Sequence, residues 1–291
     1  MTDERTLIFV GAHPDDESFG LGGTLAKYAA QGLKVVYACG TRGELGSTDP
    51  EHLQGYATTG DMRWAELACA ARALGLADVI YLGYRDSGMP GAPDNTHPNA
   101  LAAAPVEAVA ARIVKVFREV KPQVVIGNDP IGGYRHPDHI ALHHATVRAF
   151  HAAGDAGQFP ELGPAYQPQK LYYTVFPRRA IKPFLRLLSL LGQDPRHFGR
   201  NKDIDLFSLV EEAEFPIHAR IRISGEAKAR RQAAWGCHKS QAKSGPPSDG
   251  LAGLIVKWMQ TDDTFMRAHP PVPEGQSVRE TDLFEGVESH G

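Results

Sequence analysis

Cysteine is scarce. The 291 residues contain three, Cys39, Cys69 and Cys237, far apart and with no CxxC pair. That count excludes a four-cysteine zinc site, makes a disulfide framework unexpected, and favours a reducing cytoplasm. A surplus of one charge is also missing. Lys and Arg total 31 against 34 Asp and Glu, for a formal net charge of -3, so the basic footprint of a nucleic-acid binder is absent. No apolar run approaches the ~18 residues of a membrane span. The start, Met1-Thr2-Asp3-Glu4-Arg5 before Leu7-Ile8-Phe9-Val10, lacks the positive end and long apolar core of a signal peptide, and none is expected. Internal repeats and low-complexity blocks are lacking as well. What remains is a hydrophobic content of 42% in 291 residues, enough for one α/β domain. We read a core over 5–177 and a less regular C-terminal extension over 178–291.

Short apolar runs alternate with amphipathic stretches through the first half. Thr6–Gly11, Lys34–Cys39, Val79–Leu82 and Val124–Ile126 read as strands. Thr24–Gln31, Met62–Leu74, Val106–Val120 and Pro137–His151 read as helices. This alternation predicts a Rossmann-like, mostly parallel sheet flanked by helices. Asp86–Pro105 lacks periodicity and suits a long surface loop. Further on, Leu171–Val175 and Ile217–Ile223 suit strands, and Ile181–Leu191, Gly225–Ala234 and Leu251–Gln260 suit helices.

The chemistry concentrates in two short segments. His13-Pro14-Asp15-Asp16-Glu17 follows the first strand, and His136-Pro137-Asp138-His139 follows Val124–Ile126. Each sets a histidine before a helix-opening proline and a ligand-capable group three positions on. Functional groups gather at the carboxyl ends of parallel strands, so both segments face one crevice. Together they supply two histidines and one aspartate for a metal, with an aspartate and a histidine to spare. Three protein ligands and an open position are the pattern of a catalytic zinc rather than a structural one, and iron(II) suits the same donors.

These two motifs as a pair resemble the LmbE-like, or PIG-L, family of zinc-dependent N-deacetylases, which includes N-acetylglucosaminyl deacetylases of mycothiol and bacillithiol synthesis. The resemblance covers roughly residues 5–150. It extends to Thr41-Arg42-Gly43-Glu44-Leu45-Gly46, to Arg63 with Glu66, to Tyr84-Arg85-Asp86-Ser87-Gly88-Met89, and weakly to His238-Lys239-Ser240-Gln241. It implies His13, Asp16 and His139 as metal ligands and Asp15 as the base that activates water. It implies His136 as an imidazolium facing the developing oxyanion or the leaving amine, oriented by Asp138. Arg63, Asp86 and Tyr134 would meet the substrate, and Glu44 would support the loop beneath the metal. Gly127-Asn128-Asp129-Pro130 departs from the family pattern without touching the metal set. The implied reaction removes acetyl from an N-acetylglucosamine-type glycoside, and the implied assembly is a homo-oligomer. The alternative is an amidase for a larger acyl group, such as a low-molecular-weight thiol conjugate. A dinucleotide-binding reading fails because Gly20, Gly22 and Gly23 are not spaced GxGxxG after the strand.

Overall fold

The first strand, β1 (Thr6–Gly11), is buried along its whole length. A strand apolar on both faces belongs in the middle of a parallel sheet, and β1 lies there. The computed structural model describes residues 5–190, 214–241 and 261–288, together with Asp194, Arg196 and Phe207. Helices α1 (Asp16–Phe19) and α2 (Gly22–Ala30) follow β1, then β2 (Lys34–Cys39), α3 (Thr59–Leu74), β3 (Asp78–Tyr81), α4 (Val106–Val120) and β4 (Val124–Gly127). A short turn, α5 (Gly132–Arg135), precedes α6 (Pro137–Ala153), β5 (Lys170–Thr174) and α7 (Arg178–Leu190). Then come β6 (Ala219–Arg222), α8 (Gly225–Cys237) and β7 (Asp262–His269).

The seven strands run in the order β3-β2-β1-β4-β5-β7-β6. The first five are parallel, while β7 runs antiparallel to β5 and to β6. The chain leaves β1 in one direction and β4 in the other, so a crevice opens between their carboxyl ends. Both histidine motifs follow these two strands. Two apolar layers sandwich the sheet. One sets Ile113, Phe117, Leu142 and Phe150 of α4 and α6 against Ile8, Val36 and Val125. The other sets Leu25, Leu67 and Leu74 of α2 and α3 against Leu7, Val35 and Ile126.

The predicted strands and helices of the first half stand within a few residues of their expected bounds. The described part of the C-terminal extension contains the strand and helix expected at Ile217–Ile223 and Gly225–Ala234, as β6 and α8. It adds two strands to the same sheet and packs α8 on the α2 and α3 side. Strand β7 was not anticipated, because Asp262-Asp263-Thr264-Phe265-Met266-Arg267-Ala268-His269 carries charges where a central strand is usually apolar. The buried Asp263 accepts from Arg231 NH1 at 2.9 Å and from the Thr24 backbone N–H and hydroxyl, each at 2.8 Å. The expected Leu251–Gln260 helix lies outside the described residues.

The cysteine expectation needs correction: Cys69 and Cys237 form a disulfide that ties α3 to the end of α8, and Cys39 is buried and free. Neighbours 168 apart in sequence give no spacing signal. No helix among the described residues is long and apolar enough to cross a membrane.

A buried polar cluster holds the outer strands together. Glu280 accepts from Lys170 Nζ at 2.9 Å, Tyr172 OH at 2.7 Å and Arg267 NH1 at 2.7 Å. Burial works to raise the Glu280 carboxyl, but these hydrogen bonds outweigh it and hold it below its ordinary value. A depressed folded value contributes stability above the unfolded value of ~4.3, and the contribution is lost as pH falls through the folded value. Glu280→Gln leaves Lys170 and Arg267 without their buried carboxylate. We expect it to destabilise the fold by about 3 kcal/mol at neutral pH. The gap from wild type should close below pH ~4 in urea unfolding.

Candidate active site

Strand β1 ends at Gly11, and Pro14 turns the chain immediately after His13. The turn is closed by Asp16, whose Oδ2 accepts from the backbone N–H groups of Ala12 (2.7 Å) and His13 (3.0 Å). That leaves Asp16 Oδ1 free to face across the crevice, where it lies 3.5 Å from His139 Nε2. His139 comes from the first turn of α6. Its N-cap is His136, whose Nδ1 accepts from the Asp138 backbone N–H at 3.2 Å, with Pro137 at the first helical position.

His13 and His139 approach to 3.3 Å between Nδ1 and Nε2. Donors bonded at 2.0–2.1 Å with tetrahedral angles stand ~3.3–3.4 Å apart. His139 Nε2 has two donor atoms near that spacing, His13 Nδ1 at 3.3 Å and Asp16 Oδ1 at 3.5 Å. His136 stands close by, its ring 4.5 Å from that of His13 and 5.3 Å from that of His139. His13, His136 and His139 form one buried group able to hold a cation, and His13, Asp86, His136 and Asp138 form another that overlaps it. The second group supports the first. The other nitrogen of His13, Nε2, lies 3.1 Å from Asp138 Oδ2 and 3.6 Å from Asp86 Oδ1. A ligating imidazole normally places its second N–H on a carboxylate in this way.

The potential here suits a cation. Burial alone would lower the His13 ring, but Asp86, Asp138 and Asp16 outweigh it and hold it well above its ordinary value. Burial would raise Asp16, but His139, His13 and the two backbone N–H groups keep its carboxyl low. His136 goes the other way, held well below its ordinary value by burial and by His13 and His139. A ring whose Nδ1 accepts from the backbone carries its proton on Nε2, and that contact and the lowered value both favour the neutral ring over the implied imidazolium.

Asp138 also differs from its implied role. Its Oδ2 is 4.0 Å from His136 Nδ1, too far to orient that ring. Its carboxylate instead meets His13 and accepts from the Ser87 backbone N–H at 3.0 Å and from the Ser87 hydroxyl. Ser87 was quoted only as part of a loop motif. Its role was not legible, because it reaches Asp138 across 51 residues.

Asp15 occupies a left-handed-region backbone, with φ 126° and ψ -25°, that costs a non-glycine residue about 1–3 kcal/mol. Arg63, buried on α3, holds it there. Its NH2 donates to Asp15 Oδ2 at 2.8 Å and to the Pro14 carbonyl at 2.7 Å, and its NH1 donates to the Gly43 carbonyl at 3.0 Å. Gly43 is required at that contact: it adopts φ +66°, and a Cβ there would collide with the guanidinium. Burial pushes the Asp15 carboxyl up to about 6, against the pull of Arg63.

Asp86 is brought to the site but is engaged by the protein. It accepts from Gly88 N–H at 2.8 Å and Leu45 N–H at 3.2 Å, while its own N–H donates to Glu44 Oε2 at 3.0 Å. Glu44 thus supports the Asp86 loop. Tyr134 stands with its ring 5.4 Å from His139 and 5.7 Å from His136. It sits on a turn with positive φ at Gly132, Gly133 and Arg135. Asp129, in the segment that departs from the family pattern, fixes this turn by accepting from Gly133 N–H at 2.8 Å.

Known proteins resemble this chain in sequence and fold. Residues 8–150 match the PIG-L family model, described as GlcNAc-PI de-N-acetylase. A 1D-myo-inositol 2-acetamido-2-deoxy-alpha-D-glucopyranoside deacetylase of Geodermatophilus obscurus is 39% identical over 299 residues, covering 99% of each chain. The chain belongs to the PIG-L family. A Thermomonospora curvata protein of the same name is 42% identical over 300 residues, covering 98% of this chain and 97% of its own. Among solved structures, N,N'-diacetylchitobiose deacetylase from Pyrococcus horikoshii superposes with a TM-score of 0.61 at 18% identity. The match covers 91% of this chain and 84% of that one and speaks to the fold.

Proposed function

We propose that the chain is a metal-dependent hydrolase that removes the acetyl group from an N-acetylglucosamine unit linked to a polar aglycone of the inositol class. The observation that carries this is His139 Nε2 with His13 Nδ1 at 3.3 Å and Asp16 Oδ1 at 3.5 Å, inside a buried histidine group able to hold a cation, with Asp15 next to Asp16 in the same turn. The full-length identity to relatives named for an inositol-linked acetamido sugar supports the substrate class. In this reading His13, Asp16 and His139 hold the metal, zinc or iron(II), which supplies Lewis-acid polarisation of the amide carbonyl and the attacking water. Asp15, poised near neutrality, takes the water's proton. His136 presents Nε2–H to the oxygen that gains charge. The proton held by Asp15 is then available to the departing amine, so the chain returns to its starting state. Tyr134 shapes the wall beside His136, and Arg63 keeps Asp15 aimed. The homo-oligomeric state and a cytoplasmic location belong to the same proposal.

The test is release of acetate and a free primary amine. Zinc-loaded protein is assayed on 1D-myo-inositol 2-acetamido-2-deoxy-α-D-glucopyranoside, on simple N-acetylglucosamine glycosides, and on an S-conjugated pseudodisaccharide amide. Turnover should be fastest on the inositol glycoside, vanish on chelation, and return with added zinc. Exclusive cleavage of the thiol conjugate would make the chain an amidase instead.

A further inference from the structure

The first histidine motif contains a residue that none of the roles above uses. Glu17 is fully buried in α1. Its Oε2 accepts from the backbone N–H of Asp15 at 2.9 Å, and its Oε1 accepts from Ser18 Oγ at 2.6 Å. Its remaining partner comes from the other end of the chain: His238 Nε2 lies 2.7 Å from Oε1, and both side chains have no solvent exposure. His238 Nδ1 has no hydrogen-bond partner among the described residues, so the contact to Glu17 is the side-chain hydrogen bond that fixes the ring. The ring is also braced edge-on against Phe19, at 5.7 Å between centroids.

His238 is itself anchored on both sides. The preceding residue, Cys237, is bonded to Cys69 of α3. Two residues on, Ser240 donates its N–H (2.8 Å) and hydroxyl (2.7 Å) to Glu66 of the same helix. Helix α3 also carries Arg63, which grips the Asp15 carboxylate. One helix thus fixes Asp15 twice, through Arg63 at its side chain and through His238 and Glu17 at its backbone.

We infer that Glu17 and His238 form a positioning pair, which holds the strained backbone of Asp15 so that its carboxylate is presented to the reacting water. Neither residue touches substrate. The pair rests on the deacetylase reading for its chemical purpose but not for its geometry. A displaced base costs turnover rather than affinity, because the groups that bind the amino sugar and the metal stay in place.

His238→Ala and Glu17→Ala should each lower kcat about 10²-fold, the scale for a reacting group misplaced by an ångström, with KM and metal content unchanged. His238→Gln, whose side-chain amide can still donate to Glu17, should recover most of that loss. Crystal structures of the zinc-loaded alanine variants should show Asp15 out of its φ of 126° and its carboxylate off Arg63. Unchanged kcat would overturn the inference. So would a loss of kcat that glutamine does not recover and that tracks lost metal or a lowered melting temperature, since that marks a merely structural role. The structures decide independently of substrate. If wild type deacetylates no amino sugar, the functional reading fails, yet an Asp15 displaced in His238→Ala still upholds the pair, and an unmoved Asp15 refutes it.

Discussion

Asp15→Asn should retain the metal of the wild-type enzyme and lose nearly all its turnover. A positioned acid or base contributes ~10²–10⁴-fold, equivalent to about 3–5 kcal/mol of barrier. The substitution keeps the size of the side chain and an oxygen for Arg63 NH2, which now reaches Asp15 Oδ2 at 2.8 Å, so the loss reports on the proton rather than on packing. Metal should stay because the proposed ligands are His13, Asp16 and His139, none of which the substitution removes. The pH dependence carries a sign. Burial pushes the Asp15 carboxyl up to about 6, so the base is increasingly protonated below that pH and kcat/KM falls on the acid side. A divalent cation nearby favours the carboxylate, so in the loaded enzyme the acid limb falls at or below pH 6. In Asp15→Asn the residual activity should lack this limb. Near-wild-type turnover, measured as amine released per metal-loaded enzyme, would remove Asp15 from the reaction.

How far the sequence could be read follows from the range over which its signals act. Strand β1 and helix α4 stood at Thr6–Gly11 and Val106–Val120 as anticipated, because their apolar periods are local and uninterrupted. The histidine motifs were legible because proline fixes the turn that follows each strand, and a parallel sheet brings such turns to one edge. Strand β7 was not legible, since its buried Asp263 is made tolerable by Arg231 and Thr24, 32 and 239 residues away. The same limit hid the partners of the site. Nothing in His136-Pro137-Asp138-His139 says that Asp138 turns its carboxylate toward His13, 125 residues away, rather than to its neighbour His136. Nor does the spacing of Cys69 and Cys237 say that α8 folds back onto α3. Glu17 was visible as a letter in the motif, but its meaning depends on His238, 221 positions later.

Asp138→Asn separates the two roles that the residue could have. If its carboxylate oriented His136, the variant would lose turnover and bind metal as before. The geometry predicts the opposite order of effects. His136 Nδ1 is satisfied by the Asp138 backbone N–H, which the substitution leaves in place, and the carboxylate is 4.0 Å from that ring. His13 Nε2, by contrast, lies 3.1 Å from Asp138 Oδ2. An N–H donated to a carboxylate raises the basicity of the other ring nitrogen and fixes its tautomer, and removing such a partner typically costs 10–100-fold in metal affinity. Asp138→Asn should therefore bind zinc 10–100-fold more weakly in chelator competition and recover much of its turnover when zinc is in excess. His13→Ala and His139→Ala mark the far end of the scale: each removes a ligand atom outright and should abolish stoichiometric metal and activity together. A variant with wild-type zinc affinity and low turnover at saturating zinc would return Asp138 to His136. Because Ser87 holds the same carboxylate through its N–H and hydroxyl, Ser87→Ala should shift zinc affinity in the same direction by a smaller factor. It removes one hydrogen bond that orients the aspartate and leaves the Asp138 carboxylate facing His13.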